Sequence, residues 1–157
     1  MRDILRFFMI GVIIVGLQWL FFGRISLWGS TPDVVLLFVL WMSVRHGQVG
    51  GALTGFIAGF GMDAIYGLWG THMFVKTLVG FSIGTVNVIN SEVFVRSARR
   101  IVEITLVVSL IHNVLMSVFI VLQDGISREH LIWILYIGNT LYTTFVAYTV
   151  AIFWRNR

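Results

Sequence analysis

Two ionisable residues of opposite sign, Asp63 and Lys76, lie in apolar surroundings, and each continues a series of residues four apart. Gly47, Gly51, Gly55 and Gly59 lead to Asp63, while Lys76 leads to Gly80 and Gly84. On a helix such residues stack on one face, drifting by about 40° per step. Folded as a hairpin about Gly67–Gly70, the segment sets Asp63 level with Lys76, Gly59 with Gly80 and Gly55 with Gly84. A carboxylate and an ammonium so placed can form a structural ion pair, contact a ligand or partner, or relay protons or ions. A lone charge at the centre of an apolar span costs roughly 2.5–3.5 kcal/mol or more, so such groups face protein or a cavity. Each lies about six residues, roughly 9–10 Å, from the tip. The pair is thus partly submerged, and an ion pair locking the hairpin is the simplest reading. Desolvation offsets much of its Coulomb gain.

The glycine rows mark close helix approach, since small residues let backbones pack where lipid supplies no hydrophobic drive. They speak to packing, within this chain or against another protein's transmembrane helix. His112, Asn113 and Asn139 fall at similar depth if their segments form a hairpin about Gly125–Ser127. An interhelical hydrogen-bond cluster is the simple reading, and substrate contact is the other. His46, His72, His112 and His130 sit on different segments without metal-ligand spacing. Nucleophile elbow, Walker loop, H-E-x-x-H and paired catalytic carboxylates are all absent. The sequence therefore predicts neither an enzyme nor a cofactor.

Such groups must be positioned by membrane helices. Of 157 residues, 58% are hydrophobic and 11% charged, with a mean hydropathy of +0.93, whereas soluble domains are about a quarter charged. An all-α polytopic membrane protein of one domain, 1–157, is expected. Net charge +4 and pI near 10.1 would suggest nucleic acid in a soluble chain. Here the basic residues stand between apolar runs, where they set topology and touch anionic headgroups; no aromatic-interleaved basic surface suits nucleic acid. Cysteine is absent, which excludes disulfides and thiolate sites. The apolar run after MRDILRF lacks a small-residue cleavage pattern and reads as an uncleaved anchor.

With about 20 apolar residues needed per crossing, the predicted spans are 4–22, 32–44, 47–68, 71–89, 101–122 and 131–153. Gln18 is the only strongly polar interior group of the first. Trp28 in the connector suits an interface. Pro32 is predicted to open the short second helix with Ser30 or Thr31 as its cap, Asp33 serving as a dipole partner. Six crossings with a cytoplasmic N-terminus place Arg2, Arg6, Arg45, Arg96, Arg99, Arg100, Arg155 and Arg157 inside, against Arg24 and Arg128 outside. That satisfies the positive-inside bias. Both termini are then cytoplasmic, the Gly67–Gly70 turn faces outward, and Arg96, Arg99 and Arg100 form a lipid-facing cytoplasmic cluster.

PDVVLLFVLWMSVRHG followed by GGALTGFIAGFGMDAIYGLWGTHMFVKTLVGFSIG resembles the MreD family of bacterial rod-shape-determining membrane proteins. The matching elements are Pro32–Asp33, Arg45, Gly47, Gly51, Gly55 and Phe56, then Gly59, Asp63, Gly67, Gly70 and Gly80. Residues 32 to 84 carry the motifs, and the last two helices match in hydropathy alone. The resemblance implies a multi-pass protein of the bacterial inner membrane acting in peptidoglycan elongation. It implies direct binding to the bitopic MreC and action with MreB, RodA and a class B penicillin-binding protein, with no small-molecule substrate. The family is also similar in architecture to the substrate-binding components of energy-coupling-factor vitamin transporters, so a transporter subunit is the alternative. A third reading, a proton-linked transporter, rests on Asp63. Lys76 departs from the family's pattern, so an Asp63–Lys76 lock would be particular to this chain.

Overall fold

The structure, a computed structural model, describes residues 2–68, 70–87, 98–124 and 129–155. Its long elements are helices. These are α1 (Arg2–Leu17), continued by a π-helical turn (Gln18–Phe22), α2 (Val34–Tyr66), α3 (Thr71–Asn87), α4 (Ala98–Asp124) and α5 (Glu129–Arg155). Arg96 falls in 88–97 and the Gly125–Ser127 turn in 125–128, both outside the described residues.

Gly47 is the pivot of the fold. It has φ 68° and ψ −162° inside α2, a region essentially reserved for glycine. The chain there reverses direction. Val35 shares a cluster with Ala58 and Met62, residues that one continuous helix would hold about 35–40 Å from it. A Cβ on Gly51 would likewise run into Ser43 Oγ. α2 is therefore two antiparallel arms, 34–46 and 48–66. Gly47 makes the reversal and also lies against Gly84, at the end of the glycine row expected for it. Val34–Tyr66 and Arg99–Leu122 are each long and apolar enough to cross a membrane, with Arg6–Phe22 a shorter apolar helix. Since Val34–Tyr66 doubles back, its length does not describe a single crossing.

The first arm of α2 is the centre of the molecule. Val35 and Val39 are fully buried, and Leu36, Leu40 and Val44 join Val75 and Val79 of α3 and Val108 and Met116 of α4 in one core. α1 closes another side, with Gly11 set against the Phe38 ring and Phe7 near Trp41. Large apolar side chains on the outward faces are exposed, among them Phe56 and Phe60 of α2, Phe81 of α3 and Ile111 of α4. This apolar-out arrangement suits lipid.

The second arm of α2 packs on α3 through glycine, as the four-residue spacing predicts, but in another register. A Cβ on Gly51 would collide with the Gly80 carbonyl, one on Gly55 with the Lys76 carbonyl, and one on Gly59 would lie 2.5 Å from Met73 Cα. Gly84 lies against Gly47 and Gln48. The expected pairings of Gly59 with Gly80 and Gly55 with Gly84 are thus displaced by about two turns. The cause is the connection. Gly67 caps α2 in the left-handed conformation, its N–H bonded to Asp63 O at 2.8 Å. Non-helical residues cover about 3.3 Å each against 1.5 Å in a helix. Gly70 and the first turn of α3 therefore lie beside the last turns of α2, against Asp63, instead of following a symmetrical tip.

Candidate functional site

A buried helix start is costly unless its free N–H groups find partners. The π-helical turn and α5 supply them, together with Asp33 itself. Thr31 N–H donates to Asn139 Oδ1 of α5 at 2.8 Å, and Asp33 N–H to Thr143 Oγ1 of α5 at 2.9 Å. Val34 N–H donates to Gln18 Oε1 at 2.8 Å, while Gln18 Nε2 donates to Pro32 O at 2.9 Å. Pro32 has no N–H to satisfy, which suits a buried position. Leu36 N–H donates to Asp33 Oδ1 at 2.7 Å, so Asp33 is itself the N-cap. The capping role expected of Ser30 or Thr31 passes to it, and Pro32 precedes the helix. Aspartate is as good a cap as serine, and its carboxylate also suits the positive helix end.

The other oxygen of Asp33 holds the charge that the sequence had assigned elsewhere. Lys76 Nζ donates to Asp33 Oδ2 in a close ion pair, with the lysine fully buried. The expected Asp63–Lys76 pair is not formed. Asp63 instead accepts from three backbone groups at the start of α3: Gly70 N–H at 3.0 Å, His72 N–H at 2.9 Å and Met73 N–H at 2.9 Å. It caps α3 from a neighbouring helix, which occupies the carboxylate that the proton-relay reading required. The displaced register brings α3's first turn to Asp63 and carries Lys76 on toward Asp33.

Lys76 Nζ also lies 3.2 Å from His112 Nε2, and that nitrogen is 3.9 Å from Asp33 Oδ2. An ammonium only donates, so Nε2 accepts and the imidazole proton sits on Nδ1. Nδ1 faces Asn113 Oδ1 at 3.4 Å, and Asn113 Nδ2 donates to Thr140 Oγ1 of α5 at 2.8 Å. The hydrogen-bond cluster expected of His112, Asn113 and Asn139 exists but divides. Asn113 joins α4 to α5, His112 reaches Lys76, and Asn139 holds the connector before α2. One anion, one cation and a neutral imidazole, all hydrogen-bonded, form a self-compensated centre joining α2, α3, α4 and α5. No group of three potential metal ligands occurs among the described residues.

Of the predicted site residues, the structure brings together Pro32, Asp33 and Lys76, and separately Gly51, Gly55, Gly59, Gly80 and Gly84. Asp63 serves a different helix end. Arg99 and Arg100 are exposed, Arg99 Nε bonded to Glu103 at 2.8 Å. Gln18 and Thr143 were not anticipated as functional. Gln18 carried a signal, a lone amide in an apolar run, whereas Thr143 was one of several threonines with nothing to single it out.

Apolar helices with polar groups turned inward define a helical membrane protein. The sequence matches the family model of the rod shape-determining protein MreD over residues 1–155, essentially the whole chain, and the protein belongs to that family. Its broad role is accordingly in rod-shape determination. No curated protein and no solved structure matches the chain.

Proposed function

We propose that this protein is a non-enzymatic membrane scaffold of cell-wall elongation, binding MreC and acting with MreB, RodA and a class B penicillin-binding protein. The carrying observation is the family match across residues 1–155. In this reading the helices α1, α3, α4 and α5 and the two arms of α2 each cross the inner membrane, with both termini cytoplasmic. The glycine rows between α2 and α3 are consumed by internal packing, so MreC docks on an outward apolar face and the glycines keep that face in shape. The charged centre at Asp33 fixes the helices relative to one another.

Depletion in a rod-shaped bacterium should round the cells and disperse MreC. Unchanged rods with normally placed MreC would overturn the proposal. Co-purification of MreC with the intact protein tests the partner separately from the phenotype.

A further inference from the structure

The molecule gathers exposed basic residues at one end. Phe7 of α1 stands edge-on to His46 at 4.8 Å, which places the start of α1 at the Gly47 reversal. Gln48 Nε2 donates to Thr85 Oγ1 at 2.9 Å, bringing the end of α3 there too. Phe74 against Phe119 and Lys76 against His112 run α3 and α4 antiparallel, so α4 also begins at this end. Arg6, Arg45, His46, Arg99 and Arg100 are therefore exposed together.

Within this end, Arg45 and His46 differ from the arginines of α4. The Arg45 guanidinium lies over the Trp41 ring, 5.5 Å from its centroid, and Trp41 stacks on Phe38 at 6.1 Å. Phe7 bridges Trp41 and His46. An aromatic shelf thus holds one guanidinium and one imidazole at its rim. Arg99, by contrast, is already paired with Glu103. Apolar side chains run away from the same end and stay exposed: Phe8 and Val12 on α1, Val49 and Leu53 on α2.

We propose that the rim of Arg45 and His46 over Phe7 and Trp41 is a binding site for the phosphodiester headgroup of an anionic phospholipid. The acyl chains lie along the exposed apolar flanks of α1 and α2. A planar guanidinium matches phosphate oxygens with two parallel hydrogen bonds. Stacking on Trp41 restrains it in place, and aromatic rings favour the headgroup level. This site rests on the membrane placement of the protein but not on its partners.

The test is native mass spectrometry of the full chain in detergent with an equimolar mixture of phosphatidylglycerol and phosphatidylcholine. One arginine at an anionic surface corresponds to about a fivefold preference. The wild-type protein should retain phosphatidylglycerol in about that excess. R45Q should bring the ratio close to parity, while R24Q, in the connector after α1, should leave it unchanged. Arg45 is exposed, so its replacement spares the core, and an unchanged thermal unfolding profile checks this. Glycerol 3-phosphate should not compete, because it lacks the chains. A wild-type ratio in R45Q, loss of the preference only in R99Q/R100Q, or equal competition by glycerol 3-phosphate would each overturn the proposal.

Discussion

Lys76 on α3 neutralises Asp33, the N-cap of α2, although Asp63 is far nearer to it in sequence. The consequence is mutual dependence. Removing one member of a buried ion pair strands the other charge and costs about 3–5 kcal/mol, whereas replacing both often costs little. K76M and D33N should each destabilise the protein by about that much, and K76M/D33N by clearly less than the sum. K76M combined with D63N should be close to additive, because Asp63 does not touch the lysine. Reversible unfolding in mixed micelles measures all of these, and an additive K76M/D33N pair would refute the assignment.

Asp63 should behave as a helix cap. D63A removes three charge-assisted acceptor contacts at the start of α3, where hydrogen bonds to a charged group contribute about 1.5–3 kcal/mol each and share one carboxylate. A loss of roughly 3 kcal/mol is expected. Its signature is local, with faster amide exchange at Gly70, His72 and Met73. Uniformly faster exchange across α4 would argue against the capping role.

The helical segments were largely legible because apolar runs and glycine punctuation are local properties. The expected gap between 44 and 47 falls on the Gly47 reversal, and the four-residue glycine spacing found the face where α2 meets α3. Register and charge pairing were not legible. Matching residues symmetrically about Gly67–Gly70 treats the connection as if it rose like a helix, and that error moved every partner by about two turns. Lys76 then finds a carboxylate brought to it by the reversal at Gly47. Pattern along the chain carries no trace of that contact. The partners of Gln18 and Thr143 were illegible for the same reason, since each answers a backbone group of another segment.

The glycines should divide by position. At Gly55 a methyl group would meet the Lys76 backbone, and at Gly59 the backbone of His72 and Met73. Backbone yields less readily than a side-chain tip, so G55A and G59A should each cost at least about 1–3 kcal/mol, and leucine more. At Gly16 an added Cβ meets nothing within 4 Å, and alanine there should be neutral or stabilising by up to about 1 kcal/mol through helix propensity. Thermal unfolding of the three variants side by side tests the register. A harmless G55A would mean that α2 and α3 do not approach as closely as the structure has them.

Gln18 tests how far the buried start of α2 depends on borrowed partners. Its amide serves both Pro32 O and Val34 N–H, and the side chain is only 3% exposed. Q18L keeps the volume but leaves two buried backbone groups unpaired, at about 1–3 kcal/mol for each. Because α2 is the central helix, the cost should spread beyond α1. Amide exchange at Asp33, Val34 and Leu36 should accelerate, and the Lys76–Asp33 contact should weaken as the cap loosens. Combining Q18L with K76M distinguishes this from a local defect. If Gln18 stabilises the helix start that presents Asp33, the double variant should be less destabilised than the two changes added together. Strict additivity would confine Gln18 to anchoring α1.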